Sequence, residues 1–163
     1  MIISRTRLVG MNNSSVNRFV AKVRRTIPIQ GLVNVLLTTS SEMKSLNARF
    51  RGKDEATDVL SFPANGMNGL AGEIAISSEI AKQNAQLLGH SPADEIKVLI
   101  LHGLLHLAGY DHEMDHGEMR LEEQRLRQAL KLPVTLIQRN KGDIAVRARP
   151  PKINASRTAR LKR

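Results

Sequence analysis

The sequence predicts an α+β fold built on one layer of sheet, and three observations carry that prediction. Short β-branched or leucine runs alternate irregularly with longer stretches of helical period. The helical stretches differ in length and fall mostly in the second half of the chain. No segment repeats another, which sets aside solenoids and barrels of equal units. A chain of 163 residues, 41% apolar with 11 glycines, is long enough for one domain with a real core.

The elements follow in order. Residues 2–9 alternate loosely and predict a first strand. Asn12, Asn13, Ser14 and Ser15 offer capping oxygens to a helix with Val16, Phe19, Val20, Val23 and Ile27 on one face, stopped by Pro28. Residues 32–38 read as a buried strand. Ser40 or Ser41 caps a second helix that ends near Phe50 and runs into the polar segment 51–55. Residues 59–62 form a strand closed by Pro63, residues 64–69 a Gly/Asn-rich loop, and residues 72–77 another strand. Three helices complete the set of five. The first spans 78–88 and stops at Gly89. The second is capped by Ser91, with Pro92 at its first position and Asp94 three residues after the cap; it is apolar nearly all round, hence central, and ends at Gly109. The third covers residues 116–130, charged outside, with Met119, Leu126 and Leu130 inside.

Charge divides the chain into a folded domain, residues 1–138, and a basic tail, residues 139–163. The formal net charge is +10, but the tail alone holds nine Lys/Arg against Asp143, whereas residues 1–138 hold 16 basic and 14 acidic groups. With Pro150, Pro151 and few large apolar residues, the tail is expected to be disordered, and RNA is its natural partner. Cysteine is absent, which excludes disulfide scaffolds and thiolate metal sites and agrees with a reducing cytoplasm. No apolar run approaches the roughly 20 residues of a membrane span, and the N-terminus lacks the apolar stretch of a secretory signal. The chain is therefore expected to be cytoplasmic, with no membrane partner.

Residues 102–112 read HGLLHLAGYDH. His102 and His106 are four apart on a helix, so both imidazoles leave one face and can share an ion. Gly109 lets the chain reverse and bring His112 to a third position. Three imidazoles and one open position describe a catalytic zinc centre, with one Zn²⁺ per chain; structural sites are closed by four protein ligands. The spacing HxxxHxxGxxH is that of the metzincin peptidases, a zincin-like metal helix, except that Gly103 stands where those enzymes carry a glutamate base. Zinc can itself bring bound water to a pKa of about 7. The expected chemistry is thus hydrolysis, though not of peptides. Asp111 is a candidate to hold one imidazole by its second nitrogen. His116 and His90 are read as bystanders.

The same residues resemble the YbeY endoribonucleases, bacterial rRNA maturation factors, whose hallmark is HGxLHLxGYDH. A second block, NARFRGKDEATDVLSFP at residues 47–63, is similar to the family's RGKDxPTDVLSFP, with Ala56 at the proline position. A third, AGEIAIS at 71–77, resembles its LGDIxIS strand. The resemblance runs over about residues 46–130 and leaves out the tail. It implies a mixed four-stranded sheet with helices around it, zinc on His102, His106 and His112, and a functional arginine at Arg51. It also implies single-strand-specific endoribonuclease activity, 3′ maturation of small-subunit rRNA, ribosome quality control, and hence single-stranded RNA, rRNA and the small ribosomal subunit as partners. The competing expectations are a zinc peptidase, which Gly103 opposes, and a non-enzymatic ribosome-assembly factor with a structural metal. Only Phe19, Phe50, Phe62 and Tyr110 could stack on bases, so backbone electrostatics should dominate RNA binding.

Overall fold

The computed structural model describes residues 2–4, 10–64, 67–112 and 114–133. Four strands, β1 (Ile2–Ser4), β2 (Leu32–Thr38), β3 (Val59–Pro63) and β4 (Leu70–Ser77), form one sheet in the order β1-β2-β4-β3. β1 and β4 run parallel to β2, and β3 is antiparallel to β4, so the sheet is mixed and β3 is an edge. Among the described residues five α-helices surround it: α1 (Asn13–Arg24), α2 (Ser40–Arg51), α3 (Ser78–Leu88), α4 (Pro92–Leu107) and α5 (Glu118–Ala129). The α+β class, the four strands and the five helices agree with the sequence reading.

Strand alternation sorts the core into two sides. Val33, Val35 and Leu37 of β2, Ile74 and Ile76 of β4 and Val59 of β3 face the larger cluster, filled by α1 and α4. Leu36, Leu60, Phe62 and Ala75 face the other way, where Met43 and Leu46 of α2 cover them. α4 is the centre of the large side. Its residues from Val98 to Leu105 are all buried, and α3 and α5 pack against it. The near-uniform apolar character read in the sequence is the signature of a helix enclosed on every flank.

Several boundaries differ from the sequence reading. β1 covers Ile2–Ser4, and residues 5–9 lie outside the described residues, as do the tail 139–163 and the domain limit at 138. Thr39, not Ser40 or Ser41, caps α2, its hydroxyl accepting from the Glu42 amide at 3.2 Å. β4 begins at Leu70, because strand pairing with β2 extends across a register shift that alternation does not reveal. α1 ends at Arg24; Ile27 still reaches the core through a turn, its amide bonded to the Val23 carbonyl. α5 starts at Glu118 rather than His116, since Asp115 accepts from the amides of Gly117 and Met119, both at 2.8 Å, and fixes the entry two residues later.

Two glycines set how closely α4 approaches the sheet. A Cβ on Gly103 would meet Ile74 Cγ2 at 2.9 Å and Ser61 Oγ at 3.0 Å. A Cβ on Gly72 would meet Leu107 Cδ2 at 2.5 Å and the Phe62 carbonyl oxygen at 2.7 Å. The second collision includes backbone, which cannot swing aside. Gly72→Ala is therefore expected to destabilise the fold by roughly 1–3 kcal/mol, read as a lower urea midpoint at unchanged slope; an unchanged midpoint would mean that the helix can lift without cost.

Candidate metal centre

α4 ends in a turn that also builds the site. The Tyr110 amide bonds the Leu105 carbonyl and the Gly109 amide the His106 carbonyl, both at 3.1 Å, the two bonds of a Schellman termination. Gly109 takes the left-handed conformation this requires, with φ +95°. The reversal carries the chain back over the last turn of α4. The Tyr110 carbonyl then accepts a hydrogen bond from His106 Nδ1 at 3.1 Å, and the next turn, closed by the Asp115 amide on the Asp111 carbonyl at 3.0 Å, holds His112.

The structure brings His102, His106 and His112 together, with one ligand atom from each within 4.8 Å of the others. Their ring centroids are 4.8, 5.3 and 5.8 Å apart. A carbonyl oxygen can only accept, so His106 carries its proton on Nδ1 and its lone pair on Nε2. On His102, Nδ1 donates to Glu123 Oε2 at 3.1 Å, which leaves Nε2 in the same state when the ring is neutral. The two Nε2 atoms face each other at 3.1 Å. Two lone pairs at that distance repel unless a cation lies between or beside them. Two nitrogens bound to one tetrahedral zinc at about 2.0–2.1 Å sit about 3.3 Å apart. Donor set, tautomers and spacing all fit a metal ion, and this three-histidine group could hold one.

The electrostatics agree. Burial, then the charges of His102 and His112, lower His106 to about 3, so its imidazole is neutral at neutral pH, the form that ligates. Burial works against ionised Glu123, but the charge and hydrogen bond of His102, and Arg127 beside it, outweigh burial and hold the carboxyl at about 2. Arg127 donates to Glu123 Oε1 from Nε at 3.1 Å and from Nη2, and anchors itself on the Pro133 carbonyl at 3.2 Å. Nearby, burial raises Asp58 to about 6, partly opposed by His102; its Oδ1 accepts from the Val59 amide at 2.8 Å.

An open cleft of about 190 Å³ leads to the histidines, lined by His102, His106, Tyr110, Asp111, residues of β3 and Arg51. Arg51 is the last residue of α2. One turn earlier, buried Asn47 donates its side-chain amide to the Glu55 carbonyl at 2.8 Å and ties α2 to the loop that follows it. Gly103 lies on α4 between the two histidines, packed against Ile74 and Ser61 of the sheet, where a glutamate side chain has no room.

The sequence-predicted residues thus divide. The three histidines converge, Arg51 and Asp111 line their cleft, and Lys53 is outside it. His116 is exposed and apart from the cluster. His90 pairs with buried Glu95 at 2.5 Å. The carboxylate on the second nitrogen of His102 is Glu123. Glu123, Arg127 and Asp58 escaped the sequence reading. Glu123 and Arg127, four apart on an amphipathic helix, look like a solvated ion pair, and nothing local marks them as buried.

Comparison with known proteins agrees with this geometry. The family model described as Endoribonuclease YbeY matches residues 6–131. Endoribonuclease YbeY of Koribacter versatilis is 53% identical over 139 residues, spanning 85% of this chain and 91% of that protein. The Nautilia profundicola protein of the same name is 54% identical over 109 residues, spanning 66% and 78%. A solution structure of a Thermotoga maritima protein superposes with a TM-score of 0.55 at 29% identity, covering 80% of this chain and 92% of that one.

Because Glu123 is held below its ordinary 4.5, its ionised form contributes stability that is complete above pH 4.5 and is lost as pH falls toward 2. In metal-free protein, the unfolding free-energy gap between wild type and Glu123→Gln should be widest above pH 4.5 and close on acidification. A gap independent of pH would show that the charge of Glu123 is not what matters.

Proposed function

The chain belongs to the Endoribonuclease YbeY family, and from that premise we propose that it is a zinc-dependent endoribonuclease specific for single-stranded RNA. The observation that carries the metal dependence is the facing pair of Nε2 atoms, with His112 beside them, in a cleft that Arg51 also lines. In this reading His102, His106 and His112 bind one Zn²⁺ per chain. A divalent cation held there supplies Lewis acidity toward a phosphoryl oxygen or a water molecule. Glu123 and the Tyr110 carbonyl orient two of the imidazoles. The Arg51 guanidinium grips the non-bridging oxygens of the scissile phosphate, with a fork that matches two oxygens at once, and offsets the charge that builds there in the transition state.

The relatives' names supply the RNA, and the family resemblance supplies the setting: 3′ maturation of small-subunit rRNA and ribosome quality control, in the cytoplasm, on the small subunit. Among the described residues no helix is long and apolar enough to cross a membrane. The basic residues 139–163 are proposed as an electrostatic tether to RNA beside a catalytic domain of residues 1–138. Gly103 argues against the peptidase alternative, because that position has no side chain to take a proton.

Metal analysis alongside cleavage of a single-stranded oligoribonucleotide tests the proposal. Wild type should carry one zinc and lose cleavage to a chelator, and His106→Ala should lose most of its zinc and its activity while remaining folded. Cleavage that survives in folded His106→Ala would reduce the metal to a structural role.

Arg51→Ala should keep zinc and fold, yet lose roughly 2–4 kcal/mol of transition-state stabilisation, a rate loss on the order of a hundredfold. Arg51→Lys should recover only part, since an ammonium lacks the fork. Single-turnover cleavage of one RNA by the three proteins decides it; a normal rate in Arg51→Ala would make Arg51 a bystander.

A further inference from the structure

Next to the cleft, on the other face of the edge strand, lies a small aromatic and cationic platform. Phe50 ends the apolar stripe of α2, beyond Met43 and Leu46, and is 39% exposed. Its ring meets Phe62 edge to face, with centroids 5.2 Å apart and planes at 64°. The Arg49 guanidinium lies over the Phe50 ring, 5.2 Å from its centroid. Both aromatics are next in sequence to cleft residues: Phe50 precedes Arg51, and Phe62 stands between Ser61 and Pro63.

Strand alternation puts Phe62 on the α2 face and Ser61 and Pro63 on the cleft face. β3 is an edge, so the width of one strand separates platform and cleft, and Arg51 reaches from one to the other. A polynucleotide with a phosphate at Arg51 has only to cross the rim of β3 to meet Phe50. Packing accounts for the contact of Phe50 with Phe62, and a leucine could fill that role. It does not account for an exposed ring with a guanidinium laid on it, which is an arrangement that stacks nucleobases.

We propose that Phe50 and Arg49 form a stacking subsite for the nucleobase adjoining the phosphate held at Arg51. The proposal rests on the endoribonuclease reading and deepens it by naming where a base is held. Stacking tolerates any base, so the subsite selects for unpaired nucleotides rather than for sequence: a base inside a duplex is already covered on both faces. Strand selectivity then comes from this rim, and the histidines and Arg51 act on the phosphate alone.

The test is binding of a labelled single-stranded oligoribonucleotide and of a duplex to wild type, Phe50→Leu and Phe50→Tyr at one salt concentration, with melting temperature and zinc content measured in parallel. Phe50→Leu should bind the single strand about tenfold more weakly, Phe50→Tyr should bind it nearly as wild type does, and duplex affinity should be the same in all three. Single-strand binding by Phe50→Leu equal to wild type overturns the subsite while leaving the nuclease intact. A wild type that neither binds nor cleaves the single strand overturns the nuclease reading itself. Should Phe50→Leu not fold, abasic nucleotides moved one position at a time along the oligonucleotide probe the wild-type protein directly. One position should cost about tenfold, and no positional loss overturns the proposal.

Discussion

The close seating of α4 on the sheet is the constraint from which the rest of the structure follows. At Gly103 and Gly72 the contact is made without a side chain, helix backbone against Ile74 and Ser61, strand backbone against Leu107. Larger residues at either point would lift or tilt the helix. With α4 held at that height, His102 and His106 share one cleft with Val59, Ser61 and Pro63 of β3 and with Arg51. The same contact explains why the position after the first histidine carries no carboxylate: it faces the sheet, where a charge would be buried without a partner.

Burial makes the polar groups of the site depend on one another. Glu123 and Arg127 are both nearly excluded from solvent, and each would be costly alone. Together they form a chain, Pro133 carbonyl to Arg127 to Glu123 to His102, that fixes the ring and its tautomer. His106 is fixed more economically, by the carbonyl of the turn that its own helix termination generates. One imidazole is therefore oriented from a distant helix and another from four residues away. Both devices give the same result, an Nε2 aimed at a common point.

That difference in range explains what the sequence made legible. His102, His106, Gly109 and His112 are local: helical spacing and a helix stop are enough to predict their convergence. Ser91 and Pro92 marked the start of α4 for the same reason. Arg51 was legible only through resemblance, since its approach to the histidines depends on β3 pairing antiparallel at the sheet's edge, which leaves no local pattern. Glu123 was not legible at all. Its role comes from α5 packing on α4, and an i,i+4 Glu–Arg pair has the same pattern whether it faces water or a histidine. The start of α5 slipped past His116 because Asp115, just before the predicted helix, accepts from the amides of Gly117 and Met119 and delays its first turn.

The central claim is that the tautomers of His102 and His106, set by Glu123 and the Tyr110 carbonyl, aim two Nε2 atoms at one metal ion. Anomalous diffraction at the zinc absorption edge, on crystals of the zinc-loaded protein, tests it most directly. The account predicts a single peak in each chain, about 2.0–2.1 Å from Nε2 of both histidines and within ligand distance of His112, with both Nδ1 contacts retained. A peak coordinated through Nδ1 of His102 or His106, or located away from the three rings, would contradict it.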